Sequence, residues 1–216
     1  MNVYFLSGLG ADKRAFRSLK LSERVHVHHI EWPRPEVKET MQQYSGRILS
    51  LIDSSGDFAI IGLSFGGMVT IELLKTLNPR HAILISSVAT RDEMPGAFKL
   101  LGKTKLDKLM PSRTLNKVYP FAHLFTGLKT REDKELWADI IRDSDPYFLK
   151  WAIHEVLNWK NEWRPDNIFH IHGSKDKTFP VELVKADRVI EGGGHFMVLS
   201  HAAEISNIIN ERLGYN

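Results

Sequence analysis

The stretch Asp57-Phe58-Ala59-Ile60-Ile61-Gly62-Leu63-Ser64-Phe65-Gly66-Gly67-Met68-Val69-Thr70-Ile71-Glu72-Leu73-Leu74-Lys75-Thr76-Leu77-Asn78 decides how the rest of the chain is read. Phe58 to Ile61 is an unbroken apolar run, and Met68, Ile71, Leu74 and Leu77 then recur at helical three-residue spacing. This predicts a buried strand, a tight turn carrying Ser64, and a helix. A serine at that junction points one way, close to the backbone N–H groups of the helix's first turn, and such groups can stabilise an oxyanion. Gly62 and Gly66 stand two residues either side of Ser64, where only small residues relieve the crowding of a sharp turn.

The pattern Gly-x-Ser-x-Gly is that of a nucleophile elbow. A plain loop between strand and helix gives the same pentapeptide, so the reading needs a base and an acid further along.

Of 216 residues, 43% are hydrophobic and 25% charged, which fits one ordinary globular domain. No apolar run approaches the roughly 20 residues that a membrane-spanning helix needs. Val3 to Leu6, directly after the start, reads as a strand and not as a signal peptide. Cysteine is absent, so disulfides, thiolate metal sites and a cysteine nucleophile are excluded and a cytoplasmic location is expected. The near balance of 29 basic and 26 acidic residues gives no reason to expect nucleic acid as a partner.

Outward from the opening stretch, Val3 to Leu6 predicts a first strand running into the glycine-rich turn Ser7-Gly8-Leu9-Gly10-Ala11-Asp12 and a short helix that turns Phe16 and Leu19 inward. Arg24 to Trp32 predicts a second strand with Val25 and Val27 alternating against His26 and His28, stopped by Pro33 and Pro35. Val37, Met41, Tyr44, Ile48 and Leu51 place a helix next. Further strands are expected over His81 to Ser87, Ile168 to His172 and Ala186 to Ile190, with a last helix from about Phe196. Apolar runs alternating with amphipathic helices predict an α/β domain, a doubly wound, mostly parallel sheet of about six strands covered on both faces.

Between Arg91 and Pro165 no strand is evident, only helical segments over Phe98 to Met110, Arg131 to Arg142 and Pro146 to Trp159. Residues 1–90 and 166–216 are therefore expected to form the core and residues 91–165 a helical lid.

Among the 10 histidines, His195 follows Gly192-Gly193-Gly194 and precedes the last helix, so it falls on a loop at the carboxyl end of a strand, where doubly wound sheets bind ligands. Asp176, three residues after Gly173 in a loop closed by Pro180, is the candidate to orient it; Asp92 and Glu93 compete.

An elbow serine, a Gly-x-x-Asp loop and a Gly-His loop, each after a strand and in the order Ser, Asp, His, resemble the α/β-hydrolase superfamily over nearly the whole chain. The resemblance implies a catalytic triad of Ser64, Asp176 and His195, and an oxyanion hole from the N–H groups of Phe65 and Leu9, with Gly10 as the substitute for Leu9. Two departures are visible: Ser7-Gly8 stands where many members have His-Gly, and the chain begins at what would be the family's third strand. The implied chemistry is two-step acyl transfer on a small-molecule ester, thioester or related acyl compound, with no cofactor and no metal. Lyases and carbon–carbon bond hydrolases on the same triad, and a ligand sensor with vestigial turnover, are the alternatives.

Other features have blander readings. His26, His28 and His29 contain a His-x-His pair without partner ligands at useful spacing. His170 and His172 share a strand face, and packing is the expectation for both. Ala97 to Val118 carries Lys99, Lys103, Lys105, Lys108, Arg113 and Lys117 against Asp107, with Leu100, Leu101, Leu106, Leu109 and Met110; a solvated helix face is expected over an anionic surface. Of the aromatics Phe121, Phe125, Trp137, Tyr147, Phe148, Trp151 and Trp159, some are expected to line an apolar acyl pocket.

Overall fold

The computed structural model describes residues 1–104 and 127–215. Among these, six strands form one all-parallel sheet: β1 (Asn2–Leu6), β2 (His26–Ile30), β3 (Phe58–Leu63), β4 (His81–Ile85), β5 (Ile168–Gly173) and β6 (Arg188–Ile190), in the order β2-β1-β3-β4-β5-β6. β1 lies inside the sheet beside the β2 edge, and from β3 onward the strands follow one another to the other edge. The apolar runs are continuous because the inner strands are buried on both faces; all six residues of β3 are buried.

Alternate residues feed two separate cores. Tyr4, Leu6, Ile60 and Leu84 face α1 (Met41–Ile48) and α2 (Phe65–Leu73), whereas Val3, Phe5, Ile61 and Ile83 face the C-terminal helices α6 (Met197–Ser200) and α7 (Ala202–Leu213). Each such side chain taken from water contributes about 1.5–3 kcal/mol before the entropy of ordering it is subtracted.

The insertion between β4 and β5 contains α3 (Gly96–Thr104), α4 (Arg131–Asp143) and α5 (Pro146–Asn158). Thr130 caps α4 by accepting the Asp133 N–H, and Asp145 caps α5, where Pro146 fills the first turn. Side chains tie these helices to the core. Trp151 Nε1–H donates to Glu39 O at 2.6 Å, Trp159 Nε1–H to Glu72 Oε1 at 2.8 Å, and Glu155 Oε2 accepts the Met41 N–H at 2.7 Å. Arg14 pairs with Asp143 at 2.8 Å and Arg17 with Glu132 at 2.9 Å.

Several expectations need correction. The helix expected from Val37 to Leu51 starts only at Met41, because Lys38 adopts a left-handed φ of 62° and Thr40 and Gln43 form a capping box. Val37 is 82% exposed and Leu51 ends a short 3₁₀ turn. Val27 is registered against the buried Val3 yet is 43% exposed, because β2 is an edge strand. Helix α2 is buried on every side, not on one stripe, being sandwiched between the sheet, α1 and the insertion. The last helix breaks at His201, and α7 ends at Gly214 with φ 81°. Phe16 is buried as expected on a 3₁₀ turn, Lys13–Phe16, while Leu19 is half-buried.

Candidate active site

Ser64 links β3 to α2 with φ 52° and ψ −114°, a strained conformation for a side-chain-bearing residue. The surroundings fix it there. Its N–H donates to Ile85 O at 2.9 Å, and its carbonyl accepts the Gly67 N–H at 2.9 Å and the Ser87 hydroxyl at 2.7 Å. The glycines are required by distance: a Cβ on Gly62 would lie 2.5 Å from Gly66 O, and one on Gly66 would meet the backbone of Leu6 and, at 2.5 Å, Ser7 O. A third glycine, Gly67, packs equally tightly, 2.5 Å from Ser87 Cβ by the same measure.

Two further loops meet at Ser64. Gly173, closing β5, and Gly193, after β6, touch through their backbones, so that a Cβ on Gly173 would collide with Gly193 O. Lys175 N–H also donates to Gly193 O at 2.8 Å. That close approach brings Asp176 and His195 together: His195 Nδ1–H donates to Asp176 Oδ2 at 2.8 Å, and Ser64 Oγ–H donates to His195 Nε2 at 2.9 Å. The imidazole tautomer follows from the carboxylate, an obligate acceptor, on the Nδ1 side. Ser64, His195 and Asp176 thus form one continuous hydrogen-bonded row.

Asp176 is buried, and its other oxygen accepts N–H groups from Thr178 at 2.8 Å and Phe179 at 2.9 Å. Burial pushes its carboxyl up; the His195 charge and hydrogen bond, with the Phe179 N–H, outweigh that and hold it below the ordinary aspartate range. The competing acids are elsewhere. Glu93 accepts the Ala89 N–H at 2.6 Å and pairs with Arg164 at 2.8 Å, and the Asp92 carbonyl accepts from Lys99.

The loop Ser7 to Asp12 lies against the serine: a Cβ on Gly8 would be 3.6 Å from Ser64 Cβ. Ser7 Oγ–H donates to Ala11 O at 2.6 Å and Ala11 N–H to Gly8 O at 2.9 Å, which closes the loop on itself and leaves Leu9 and Gly10 at its tip. Phe65 is the first residue of α2, whose leading N–H groups have no partner within the helix. Gly10 has φ 70°, and the insertion packs on it, Leu149 Cδ2 lying 2.5 Å from where its Cβ would be. The Ser144 hydroxyl reaches Gly10 O, a tie that no sequence pattern announced.

A cavity of about 420 Å³ opens between the first two β-strand loops and the insertion, with Gly10, Trp32, Arg34, Ser144 and Phe148 among its walls. Ser64 and His195 are not among them, so the cavity adjoins the row across the Gly8–Gly10 loop. Of the aromatics expected at a pocket, Phe148 faces this cavity and meets Phe65 at 5.9 Å between ring centroids. Trp151 and Trp159 are anchored in the core by their indole N–H groups, Trp137 packs on Phe196, and Tyr147 lies under Arg34. Phe121 and Phe125 lie outside the described residues, as do Lys105, Leu106, Asp107, Lys108, Leu109, Met110, Arg113 and Lys117. Leu100 and Leu101 on α3 are exposed at 63% and 45%.

Among the described residues, no three His, Asp or Glu side chains are grouped to hold a metal ion, and no helix is long and apolar enough to cross a membrane. On the β2 edge, His28 is engaged by Asn2 at 3.1 Å and stacks on Tyr4.

Residues 3–208 match the model of the alpha/beta hydrolase family. No curated protein matches the chain. Solved structures of like fold include MenH from S. aureus, at TM-score 0.80 and 17% identity over 99% of this chain and 93% of that one. A thermophilic esterase from Thermogutta terrifontis follows at TM-score 0.71 and 17% identity, over 99% and 89%. An enol-lactonase from Burkholderia xenovorans LB400 gives 0.69 and 15%, over 99% and 91%. At these identities the structures speak for the fold, while the family match spans nearly all of the sequence, and the chain accordingly belongs to the alpha/beta hydrolase family of enzymes.

Proposed function

We propose that this protein is a serine hydrolase that cleaves a small carboxylic ester, thioester or related acyl compound through an acyl-enzyme on Ser64. The observation that carries the reading is the unbroken row from Ser64 Oγ through His195 to Asp176, at 2.9 and 2.8 Å, on a serine held in a strained turn. Ser64 attacks the carbonyl carbon as His195 Nε2 takes its proton. Asp176 keeps the imidazole in the receiving tautomer and stabilises the imidazolium. The oxyanion is held by the N–H groups of Phe65 and Leu9, the latter on the loop tip pressed against the serine. The imidazolium returns its proton to the leaving group, and water, activated by the same histidine, releases the acid.

In this reading residues 91–165 act as the lid, residues 1–90 and 166–216 as the core, and the cavity beside Gly10 accepts part of the substrate. The esterase and enol-lactonase among the structures of like fold act on bonds of this class by their names, which supports the choice of substrate.

A fluorophosphonate probe tests it. The wild type is expected to label and Ser64→Ala not to; an unlabelled wild type removes the serine from the mechanism. p-Nitrophenyl esters of increasing chain length then measure the acyl pocket, and Ser64→Ala should lose at least about 10⁴-fold in kcat, as loss of a triad member does.

A further inference from the structure

Behind Asp176 lies a second imidazole pair that the proposed mechanism does not use. His170 and His172, on the same face of β5, are fully buried. His172 Nε2 is 2.8 Å from Phe179 O and 3.4 Å from Asp176 Oδ2, and His172 Nδ1 is 3.1 Å from His170 Nε2. Both atoms facing His172 Nε2 are acceptors only, so that nitrogen carries a hydrogen. A neutral ring then leaves Nδ1 bare, to accept from His170 Nε2–H. His170 Nδ1 is left bare in turn, and it has no hydrogen-bond partner among the described residues. The Phe179 carbonyl and Asp176 thus fix the tautomer of His172, while the Lys185 backbone also acts on the His170 ring.

Phe179 is what makes this matter at the serine. Its carbonyl is held by His172, its N–H holds Asp176 Oδ1 at 2.9 Å, and its ring packs edge-on to His195 with centroids 5.4 Å apart. Asp176 Oδ2, which accepts from His195, also faces the His172 N–H. We infer that His172 is a positioning residue for the Ser64–His195–Asp176 row, acting as a neutral Nε2–H donor that fixes the Phe179 carbonyl and shares the outer oxygen of Asp176 with His195. This rests on the serine-hydrolase reading.

The charged and titratable groups around the pair are Asp176 and His195 from the loops after β5 and β6, Glu93 from the segment after β4, and Arg164 before β5. Asp187 adds a carboxylate, Oδ2 accepting the His170 backbone N–H at 2.7 Å. Burial drives both rings toward the neutral form, more strongly than Asp176 and the Phe179 carbonyl favour a charge on His172. A neutral His172 does not compete as a cation for the aspartate, and so leaves its charge to the imidazolium of His195.

The test compares the pH dependence of fluorophosphonate labelling in the wild type, His172→Phe and His172→Gln. Phenylalanine fills the space with no donor; glutamine can place an N–H near the lost Nε2. His172→Phe should label roughly three- to tenfold more slowly, the loss of about one hydrogen bond. Its acid limb should shift upward by about half a pH unit, because more of the Asp176 charge then holds the imidazolium. His172→Gln should recover most of the rate and the wild-type midpoint. Equal loss in both variants, or a His172→Phe profile unchanged in rate and midpoint while Ser64→Ala abolishes labelling, overturns the positioning role and leaves the serine reading intact. A wild type that does not label overturns both. Should His172→Phe fail to fold, histidine-ring ¹H–¹⁵N spectra of the wild type decide: a neutral His172 with hydrogen on Nε2 is expected at pH 7, and hydrogen on Nδ1, or on both nitrogens, overturns the inference.

Discussion

The loops around Ser64 and the inserted helices above them are held by different kinds of force. Around the serine, backbone packs on backbone: Gly62 against Gly66, Gly66 against Leu6, Gly173 against Gly193. The insertion is fastened mainly by side chains, apolar ones such as Phe148 and Ile141 in the two cores, two indole N–H groups, a carboxylate on a backbone N–H, and largely exposed ion pairs, with one backbone approach of Gly127 to Gly194. Backbone packing has no slack, whereas side-chain ties are separately weak and separately removable. The contrast teaches that precision resides in the strand ends, while the polar ties of the insertion can be removed one at a time.

If that contrast is right, damage should fall steeply from the serine row outward. Asp176→Asn keeps the shape but offers an amide where His195 needs an acceptor, so kcat for an activated ester should drop by about 10⁴-fold with the fold intact by circular dichroism. A drop under tenfold would remove Asp176 from the row's chemistry. Gly66→Ala forces a methyl onto the Leu6 and Ser7 carbonyls and should reduce unfolding free energy by about 3 kcal/mol in urea titration. A near-neutral result would show that the elbow yields, contrary to the comparison.

The buried histidines give a third, pH-dependent test. Burial above all, with the charge of Arg164, pushes His170 down to about 3 from its ordinary 6.5. The folded state therefore binds this proton less readily than the unfolded state does. Its contribution is complete above pH 6.5 and is lost as pH falls from there toward about 3. Between pH 7 and 5 the wild type should lose about 2 kcal/mol that His170→Gln does not lose. Equal pH slopes in the two proteins would exclude His170 as the source. Trp151→Phe removes the bond to Glu39 O and part of a ring packed on Tyr44 at 4.4 Å between centroids, and should reduce stability by about 1–2 kcal/mol, seen as a lower urea midpoint. The smallest change belongs to Arg17→Ala, whose partner Glu132 is 81% exposed; it should shift stability by under about 0.5 kcal/mol, and a larger loss would mean the insertion is held more tightly than its surface pairs allow.

How far the sequence could be read follows the same division. Phe58 to Leu63 and His81 to Ile85 were legible as strands because burial on both faces leaves no polar residue to interrupt them. Ser64, Asp176 and His195 stood out through neighbouring glycines, which mark places where chains must approach closely. The start of α1 was legible in principle, since Thr40-x-x-Gln43 is a capping-box pattern, yet the apolar spacing through Val37 pointed elsewhere. What could not be read is whatever depends on distant partners. Ser144 meeting Gly10, Arg14 meeting Asp143, and His172 meeting Phe179 O look in sequence like surface or packing residues. Glu72 is a charged residue inside a buried helix, a position that makes sense only once Trp159 and Lys75 are seen beside it.

The strand order also sets when chemistry can begin. β1 sits between β2 and β3, so it cannot be flanked on both sides until Phe58–Leu63 has left the ribosome, and more than eighty residues separate the end of β4 from the start of β5. Closing such long loops is slow, and the unfinished sheet presents the β4 edge until β5 arrives. Throughout that interval the chain has its serine elbow and no imidazole beside it. In the proposed mechanism the nucleophile lacks its base during synthesis until β6 and the glycine loop after it deliver His195.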